Sequence, residues 1–493
     1  MSVAEPVTAS KYPDVQNYID GRFVEGAARR IDVTNPSDGS LLSRVPCSTS
    51  AELDAAVAAA RRAFPKWSST PIKERAQVFF RYKALLERHI DELAALVREE
   101  NGKVIDEARA EVLKSAELCE FACSLPQLIP GEVLEVSKGV ECRTERYPVG
   151  VVASITPFNF PNMVPNWTIP NALALGNTMV LKPSELVPLS ARRIAELLKE
   201  AGLPDGVLNI VHGDREVVEA ICDHVGINAI TFVGSTRVAA IVYRRGTSSL
   251  KRVLALGGAK NHLIVMPDAD VEMTATNVIA SMSGCAGQRC MAASVMVSVG
   301  DTSRVIERMK SVVAGVVPGE SMGPVISAEA KARIERYISE AEAKGAKVLV
   351  DGRNCVVAGR EGGYHVGPTI IDHVTPDMAI AKEEVFGPVL AIIRTSGLDE
   401  ALAVENANPY GNAASVYTES GGVARQVMER ASAGMIGINV GVPVPREPFP
   451  FGGWNQSKFG VGDITGKGAV EFLTQTKKFT TKWNREAGTN WMS

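Results

Sequence analysis

The sequence predicts an α/β protein with two sheet-containing regions and a separate strand arm, and three observations support that prediction. From about residue 148, short apolar strands alternate with helices. A second alternation of strands and helices follows at about residue 260. Stretches with strand character that belong to neither alternation lie at 133–147 and near the C-terminus. Alternating short strands and helices are typical of a parallel sheet covered by helices on both faces.

The N-terminal region is predicted to be helical. Residues 51–64, AELDAAVAAARRAF, place Leu53, Val57, Ala60 and Phe64 at helical spacing on one face. The next stretch repeats this pattern with its own apolar residues between 78 and 97. The charged residues between them indicate an outer face in contact with water.

The first predicted sheet lies between residues 148 and 258. Its predicted strands are VGVVASIT, TMVLK, GVLNIV, AITFV and RVLAL. Its predicted helices are NWTIPNALALG, LSARRIAELLKEAGLP, DREVVEAICDH and VAAIVYRRG. Gly202 and Pro204 mark the end of the second helix, because glycine favours the C-terminal cap and proline cannot continue a helix. Ligands of such sheets bind beyond the carboxyl ends of the strands, so we expect a site in those loops.

Two segments are predicted to form a strand arm outside both sheets. The stretch VLEVSKGVECRTERYPV alternates and turns at Lys138 and Gly139, as a protruding hairpin would. The C-terminal KKFTTKW is another isolated strand. Because unpaired strand edges attract other strands, we expect this arm to pair with a second subunit.

Composition excludes several classes of protein. The 493 residues include 45% hydrophobic and 22% charged residues, and the net charge of −3 shows no bias towards nucleic acid. The six histidines are scattered and no CxxC spacing occurs, so we expect no metal site. Eight cysteines in so long a chain indicate reduced intracellular thiols. Without a secretory leader or an uncharged apolar run of about 18 residues, we expect a cytoplasmic protein with no membrane partner.

The stretch ITFVGSTRVA, residues 230–239, follows a predicted strand and opens a predicted helix. The free backbone N–H groups and the helix dipole near Ser235 favour a phosphate group. Gly-Ser-Thr is equally typical of an ordinary helix N-cap. This stretch alone therefore leaves both interpretations open.

The segment LKPSE places Lys182 and Glu185 just beyond another strand of the same sheet. A carboxylate there can accept both hydroxyls of an adenosine ribose and would repel a 2′-phosphate, which favours NAD over NADP. A single glutamate in such a loop is also often only a solvated side chain.

The segment TPFNFPN, residues 156–162, places two prolines and two aromatic residues around Asn159, directly after the first strand. An amide held in a rigid loop can stabilise a developing oxyanion. The alternative is an asparagine that caps its own turn.

The stretch SMSGCAGQRCMAASVMV, residues 281–297, contains two cysteines five positions apart. A nucleophilic thiolate needs exposure and a positive environment that lowers its pKa. Cys290 follows Arg289 directly, with flexible glycines nearby, which makes it the better candidate for a nucleophile. Cys285, like Cys119 and Cys123, is interpreted as a small core residue.

Six motifs, taken together and in this order, resemble the aldehyde dehydrogenase superfamily. They are PFNFP, KPSE, FVGST, GQRC, EEVFGPV at 383–389 and PFGGWNQSKFG at 450–460. The resemblance extends from about residue 15 to 485. It implies an aldehyde dehydrogenase-like α/β fold that works as a homodimer or homotetramer on a small-molecule aldehyde. The implied parts are a Rossmann-type NAD-binding domain (15–132 and 148–258), a catalytic domain (259–450) and a β-strand oligomerisation arm (133–147 and 470–490).

The resemblance also implies roles for individual residues. Cys290 is the implied nucleophile and Asn159 the implied oxyanion donor. The implied NAD contacts are Lys182 and Glu185 for the adenosine ribose, Ser235 for the pyrophosphate, and Glu384 and Phe386 for the nicotinamide ribose and ring. Phe158 is a further implied cofactor contact.

One departure from the family pattern indicates the reaction. Hydrolytic members carry a glutamate in a Glu-Leu-Gly-Gly-Lys stretch, and it activates the water that cleaves the acyl-enzyme. Here the stretch is LALGGAKNH, residues 254–262, and neither Ala255 nor Leu256 supplies an acid in either alignment. Without a general base, water attacks a thioester slowly, whereas a thiol carries its own nucleophilic thiolate. We therefore predict coenzyme A as the acyl acceptor, with hydrolysis to a free acid as the alternative.

The stretches GAKNH and CAGQRCMA resemble the methylmalonate-semialdehyde dehydrogenase branch, which is NAD-dependent and CoA-acylating. This resemblance implies that Arg289 binds the substrate carboxylate. The branch has a second arginine on an N-terminal helix, where this sequence has Lys114, and lysine supplies charge without the bidentate fork. The expected reaction converts methylmalonate or malonate semialdehyde, or a related acidic semialdehyde, to propionyl-CoA or acetyl-CoA.

Overall fold

The computed structural model describes residues 10–482 of the chain. Its strands are β1 Asn17–Ile19, β2 Arg22–Val24, β3 Arg30–Thr34, β4 Leu41–Pro46, β5 Glu132–Ser137, β6 Val140–Pro148, β7 Val151–Ile155, β8 Thr178–Lys182, β9 Leu208–Ile210, β10 Ala229–Val233, β11 Arg252–Leu256, β12 Asn261–Val265, β13 Ala293–Val299, β14 Lys347–Val350, β15 Thr369–Asp372, β16 Val389–Thr395, β17 Tyr410–Gly411, β18 Ala413–Tyr417, β19 Met435–Ile438, β20 Trp454–Asn455, β21 Lys458–Phe459 and β22 Thr474–Lys482.

The helices cover both main sheets. They are α1 Ser50–Ser69, α2 Ile72–Arg88, α3 Ile90–Asn101, α4 Ile105–Leu128, α5 Met163–Ala174, α6 Leu189–Glu200, α7 Arg215–Asp223, α8 Thr236–Ser248, α9 Val271–Ser283, α10 Ser303–Val313, α11 Ala328–Ala343, α12 Ala379–Lys382, α13 Leu398–Ala407, α14 Gly421–Arg430 and α15 Gly466–Leu473. A short 3-10 segment, Gly284–Gly287, follows α9.

The first sheet has eight strands in the order β2-β1-β9-β8-β7-β10-β11-β21. Strands β7 to β11 are parallel and entirely or almost entirely buried, as their continuous apolar runs predict. The chain runs outward from β7 to β9 and then returns to place β10 on the other side of β7. This reversal of strand order makes a crevice at the carboxyl ends of β7 and β10, where ligands of such sheets bind.

The second sheet has seven strands in the order β14-β15-β16-β13-β12-β18-β19. All neighbouring pairs are parallel except β14 with β15. The amino ends of β12, β13 and β18 carry the segments that surround Cys290, because Asn261 begins β12 and Asn412 directly precedes β18. The site therefore lies between the carboxyl ends of one sheet and the amino ends of the other.

The predicted hairpin forms at the predicted position. Strands β5 and β6 pair antiparallel and turn at Lys138 and Gly139, and Gly139 has a φ of +75° that suits glycine. Strand β22, which contains most of KKFTTKW, pairs antiparallel with β6 along nine residues. The arm is thus a three-stranded sheet of its own. Residues 483–490 of the predicted arm lie outside the described residues, and the three domain boundaries stay a prediction.

The N-terminal helices pack on the first sheet and lead helix α4 to the site. Helix α1 begins with a capping box in which Thr49 and Glu52 satisfy each other's backbone N–H groups. Tyr82 and Phe79 of α2 are fully buried in the core shared with α4 and α5. On α4, Glu107, Glu111 and Lys114 follow one another at helical spacings of four and three, so they share one face of the helix.

Between residues 10 and 482, no helix has both the length and the apolar character that crossing a membrane requires.

Candidate active site

Two cavities meet at Cys290. The first, here named the crevice cavity, has a volume of about 490 Å³ and is lined by the loops after β7 and β10 and by Glu384 and Phe386. The second, here named the α4 cavity, has a volume of about 720 Å³ and is lined by the α4 face with Lys114, by Arg289 and by aromatic side chains. Because Cys290 lines both, a molecule in either cavity can reach its sulfur.

The segment around Cys290 is held by amide side chains from two other strands. Asn261 Nδ2 donates to the carbonyl oxygen of Cys290 at 2.9 Å and also to that of Ala292 at 2.9 Å. Asn412 Nδ2 donates to the same Cys290 carbonyl at 2.8 Å. Both asparagines are buried. The backbone at Cys290 is therefore fixed from β12 and from the residue before β18.

The thiol of Cys290 has a different environment from the predicted one. Its pKa is raised to about 12, mainly by desolvation and also by the carboxylate of Glu384. The backbone N–H groups of Cys290 and Met291, and the charge of Arg289, act in the opposite direction and do not balance burial. The neighbouring arginine thus does not lower the pKa of Cys290 enough to make it a thiolate at neutral pH.

Arg289 directs its guanidinium to Cys285 and not to Cys290. Its Nε lies 3.2 Å from Sγ of Cys285, and its Nη2 lies 3.2 Å from Oε1 of Glu107 on α4. The same Glu107 oxygen accepts the backbone N–H of Cys285 at 2.7 Å. The interpretation of Cys285 as a core residue without charged company is therefore wrong in part. It is buried, but it also lines the α4 cavity beside an arginine.

The glycine before Cys285 makes room for this arginine. A Cβ at Gly284 would lie 2.4 Å from Nη1 and 2.5 Å from Cζ of Arg289. Cys285 and Ala286 have φ values of +50° and +52°, so the segment makes a left-handed turn there. This turn brings Arg289 back under Gly284 and into the wall of the α4 cavity.

Asn159 is buried and reaches across to the cysteine loop. Its Nδ2 donates to the carbonyl oxygen of Gln288 at 3.0 Å, two residues before Cys290. It does not cap its own turn, so that alternative is wrong. An amide nitrogen carries two N–H groups, and within residues 10–482 the second N–H has no hydrogen-bond acceptor from the protein.

A buried ion pair holds the backbone of the Asn159 loop. Lys103 and Glu111, 1% and 0% exposed, form a salt bridge of 2.5 Å. The Lys103 ammonium also donates to the carbonyl oxygen of Asn159. Glu111 Oε1 accepts the N–H groups of Asn162 at 2.8 Å and Met163 at 3.1 Å, at the start of α5. The pair thereby fixes the backbone on both sides of the Asn159 loop.

Glu384 and Phe386 lie in the crevice cavity. Glu384 Oε1 accepts the N–H of Ala259 at 3.0 Å, and desolvation raises the pKa of its carboxyl to about 7. A Cβ at Gly258 would lie 2.3 Å from Oε2 of Glu384, so that position needs glycine. Phe386, at a φ of +53°, meets the ring of Phe158 edge to face at 5.8 Å between centroids.

The residues predicted to hold the rest of the cofactor lie at the carboxyl ends of the first sheet. Ser235 is the N-cap residue of α8, but its side chain makes no capping hydrogen bond, and it lines the crevice cavity. Lys182 ends β8 and forms a salt bridge of 2.7 Å with Glu185 in the following turn. The structure thus brings these three side chains to the same edge of the sheet, and their roles stay a prediction.

Lys114 lies in the α4 cavity with Arg289, as a shared carboxylate receptor would require, but it is already paired. Its ammonium is 2.8 Å from Glu447 and 2.9 Å from Glu117. Trp167 and Phe451 also line the α4 cavity, and their rings lie 4.7 Å apart between centroids at an interplanar angle of 37°.

No acid takes the place of the missing glutamate within LALGGAKNH. Ala255 is fully buried in β11 and Leu256, which ends β11, is 4% exposed. The glycines that follow pack against Glu384 and Thr236. Of this stretch, Gly257 and Gly258 line the crevice cavity.

Sequence reasoning missed the supporting residues. The spacing of Glu107, Glu111 and Lys114 on one helical face was visible, but their partners come from positions far away in the chain. Asn261 lies in the GAKNH motif, but its contact with the Cys290 carbonyl depends on the pairing of β12 with β13. Nothing local marks Asn412 or Glu447.

Comparison with known proteins gives a consistent result. Residues 23–479 match the model of the aldehyde dehydrogenase family. A malonate-semialdehyde dehydrogenase from Geobacillus thermodenitrificans is 48% identical over 478 residues, which are 95% of this chain and 99% of that protein. A solved methylmalonate-semialdehyde dehydrogenase from Oceanimonas doudoroffii is 42% identical, with a TM-score of 0.95 over 96% of this chain and 99% of that chain.

A second solved structure is similar to the same extent. It is from Sinorhizobium meliloti 1021, is described as a methylmalonate-semialdehyde dehydrogenase complexed with NAD, and is 41% identical. Its TM-score is 0.95 over 97% of this chain and 99% of that chain. These matches span both sheets, the arm and every segment that lines the two cavities. The chain belongs to the aldehyde dehydrogenase family.

Proposed function

We propose that the protein is an NAD-dependent, CoA-acylating dehydrogenase of an acidic semialdehyde, either methylmalonate or malonate semialdehyde. The substrate would be oxidised to a thioester on Cys290, decarboxylated, and released as propionyl-CoA or acetyl-CoA. The observation that carries the proposal is that the buried residues Ala255 and Leu256 supply no acid at the position where a hydrolytic member carries its glutamate. The names of the Geobacillus, Oceanimonas and Sinorhizobium relatives support the substrate class.

The α4 cavity supports an acidic substrate. Arg289 and Lys114 place two permanent cations in the cavity that contains the nucleophile. The guanidinium can hold a carboxylate through two parallel hydrogen bonds, and the ammonium adds a point charge. The aromatic wall of Trp167 and Phe451 can pack against the short carbon chain of the substrate.

The crevice cavity fits NAD. It lies where the strand order of the first sheet reverses, and Ser235 offers the free N-terminus of a 13-residue helix to a pyrophosphate. Lys182 and Glu185 would hold the adenosine ribose, and Glu384, Phe386 and Phe158 would hold the nicotinamide end. NAD, when bound there, accepts the hydride that leaves the substrate carbon.

The residues of the chain account for the bond-forming steps. The Cys290 sulfur attacks the aldehyde carbon, loses its proton, and leaves an oxyanion on that carbon. The free N–H of Asn159 and the backbone N–H of Cys290 would stabilise that charge, as donors aimed at a developing oxyanion do. Loss of hydride from the carbon then gives a thioester on Cys290.

Decarboxylation and release need no acid or base from the chain. The carboxylate lies β to the thioester carbonyl, which accepts the electron pair as CO2 departs, and the resulting enolate takes a proton. The thiolate of coenzyme A then attacks the thioester carbonyl, forms acyl-CoA and releases Cys290. Such two-stage transfer is expected to give ping-pong kinetics.

A direct assay tests the acceptor. NADH formation from malonate semialdehyde is followed by absorbance with and without coenzyme A, and the products are identified by mass. We expect sustained turnover and acetyl-CoA only when coenzyme A is present. Equal rates with and without coenzyme A, with a free acid as product, would contradict acylation.

Two substitutions test the residues. Cys290→Ala is expected to abolish turnover while the thermal unfolding midpoint and NAD binding by calorimetry stay unchanged. Arg289→Leu is expected to raise KM for malonate semialdehyde far more than KM for propanal. Retained turnover in the first variant, or equal rises of KM in the second, would contradict these assignments.

Hydrolysis is the second candidate, and one observation favours it. Glu384 shares the crevice cavity with Cys290, and its carboxyl has a pKa of about 7, which suits a general base at neutral pH. If Glu384 activates water, the Glu384→Gln variant should still form NADH in its first turnover. It should then fail to hydrolyse the acyl-enzyme and release no free acid. Under the acylating function, the CoA-dependent release step does not depend on this carboxylate.

We also propose that the strand arm joins subunits into a homodimer or homotetramer. Its outer strand β5 exposes Val133, Leu134 and Val136, with 65%, 66% and 53% of their surfaces accessible. An exposed apolar edge strand of this kind tends to pair with another chain. Light scattering of the full chain measures the assembly, and Leu134→Asp should shift it towards monomer. A wild-type monomer would contradict the proposal.

A further inference from the structure

The ion pair between Lys114 and Glu447 is an unusual feature of a cavity that is expected to receive an acid. Glu447 is 11% exposed and Lys114 is 21% exposed, and their charged atoms are 2.8 Å apart. Both residues line the cavity that contains Cys290. The pair links helix α4 to a segment 333 positions later in the chain. Lys114 thus faces the cavity with a protein carboxylate already bound to it.

The two carboxylates that pair with the Lys114 ammonium, Glu117 and Glu447, are held in different ways. Glu117 lies three residues further along the same helix, is 52% exposed and can only turn about its own side chain. Glu447 lies in the segment 439–453, between β19 and β20, which has neither helix nor strand. Phe449 in the same segment is 70% exposed. Glu447 is therefore not fixed by a helix or strand of its own, and its side chain reaches Lys114 from another part of the chain.

A substrate carboxylate cannot simply be added to this cluster. An ammonium has three donors, two of which are taken, but a third carboxylate would place three negative charges around one positive charge. Asp106 and Glu107 add further acids to the cavity wall. The arrangement becomes favourable when the incoming carboxylate replaces that of Glu447.

We propose that Glu447 is a specificity-determining residue that competes with the substrate carboxylate for Lys114. This inference deepens the proposed function and rests on it for the substrate class. Glu447 weakens the binding of acidic aldehydes and strengthens the binding of aldehydes that carry a positive charge. It does not affect the binding of uncharged aldehydes, which pack against Trp167 and Phe451. An acidic aldehyde therefore binds well only when its carboxylate also reaches Arg289. The ion pair thus restricts the substrates to short acids whose length lets the carboxylate reach Arg289 while the aldehyde carbon is at Cys290.

A charge series of three-carbon aldehydes tests the proposal. Malonate semialdehyde, propanal and 3-aminopropanal differ at the far end of the molecule, and propanal serves as the uncharged reference. In Glu447→Gln, we expect kcat/KM for malonate semialdehyde relative to propanal to rise about fivefold, mainly through KM. The same ratio for 3-aminopropanal should fall. Glu447→Asp keeps the carboxylate and should restore the wild-type order of kcat/KM among the three aldehydes. Glu117→Gln should change the kcat/KM ratios relative to propanal less than Glu447→Gln does.

Inhibition by malonate separates this inference from the proposed function. Malonate carries the carboxylate but no aldehyde, so its inhibition constant against propanal measures binding alone. We expect that constant to fall about fivefold in Glu447→Gln and to rise in Lys114→Gln. Weaker or unchanged inhibition in Glu447→Gln would overturn the competition and make Glu447 a residue that only positions Lys114. Failure to form acetyl-CoA, with the expected inhibition, would contradict the proposed function alone.

Discussion

Asn412 donates a hydrogen bond of 2.8 Å to the carbonyl oxygen of Cys290, although the two residues are 122 positions apart in the chain. Asn261 donates to the same oxygen at 2.9 Å. A carbonyl held by two buried amides cannot rotate freely, so the Cα–Cβ bond of Cys290 keeps its direction. Cys290 is thus oriented from the second sheet, whereas Asn159 lies in the loop after β7 of the first.

Replacing Asn412 should therefore impair catalysis more than folding. We expect Asn412→Ala to lower kcat about tenfold, because small displacements of a reacting group slow the reaction strongly. KM should change much less than kcat. Steady-state kinetics and the unfolding midpoint measure both effects. The matched control is Asn406→Ala, which removes a side-chain amide hydrogen bond to the Arg430 carbonyl oxygen far from the cavities. A kcat of Asn412→Ala within twofold of wild type would contradict the orienting role.

The pH dependence of Cys290 alkylation should reveal the charge on Glu384. Burial raises the pKa of Glu384 to about 7, so this carboxyl is neutral at pH 5.5 and ionised at pH 8.5. Its negative charge raises the pKa of Cys290 and keeps the thiolate scarce. In Glu384→Gln, we expect iodoacetamide to alkylate Cys290 about threefold faster at pH 8.5 and equally fast at pH 5.5.

Peptide mass measurement would show which cysteine is alkylated. The rate in wild type should still be rising at pH 9, because the pKa of Cys290 is about 12. The variant Glu383→Gln removes the neighbouring carboxylate, which bonds to Tyr337 and lies outside the crevice cavity, and is the control. Equal alkylation rates of wild type and Glu384→Gln at pH 8.5 would rule out the electrostatic coupling.

Gly284 should set substrate preference through Arg289. A methyl group at this position would lie 2.4 Å from Nη1, so Gly284→Ala must displace the guanidinium from the cavity wall. We expect KM for malonate semialdehyde to rise about tenfold, because a displaced guanidinium loses its bidentate contact. KM for propanal should change less than twofold. Gly421→Ala, where nothing lies within 4 Å of the added methyl, is the control. Equal rises for both aldehydes would indicate a general disturbance of the loop.

The alternation of strands and helices was predictable because each parallel strand is buried on both faces and is therefore apolar throughout. The predicted strands from VGVVASIT to RVLAL correspond to β7 to β11. The hairpin turn at Lys138 and Gly139 was also predictable, since the turn carries its own sequence signal. The addition of β21 to the edge of the first sheet was not, because two residues, Lys458 and Phe459, pair with β11 from about 200 positions away.

The candidate site was predictable where its residues stand in motifs. Asn159, Cys290 and Glu384 each belong to a distinctive short segment, and the structure brings all three around the crevice cavity. The direction of Arg289 was not predictable from its position beside Cys290. It depends on the left-handed turn at Cys285 and on Glu107 of a distant helix. Sequence neighbours share a backbone, but tertiary packing decides where their charges lie.

Breaking the buried pair of Lys103 and Glu111 should lower stability and disturb the position of Asn159. Lys103→Met leaves the buried Glu111 carboxyl without its ion-pair partner, and breaking a buried pair in this way costs about 3–5 kcal/mol. Urea denaturation measures the change in the free energy of unfolding. Lys103→Met combined with Glu111→Gln removes both charges, and we expect it to recover part of the loss while kcat stays low, because no ammonium then holds the Asn159 carbonyl. A loss below about 1 kcal/mol in Lys103→Met would mean that water or another group satisfies Glu111.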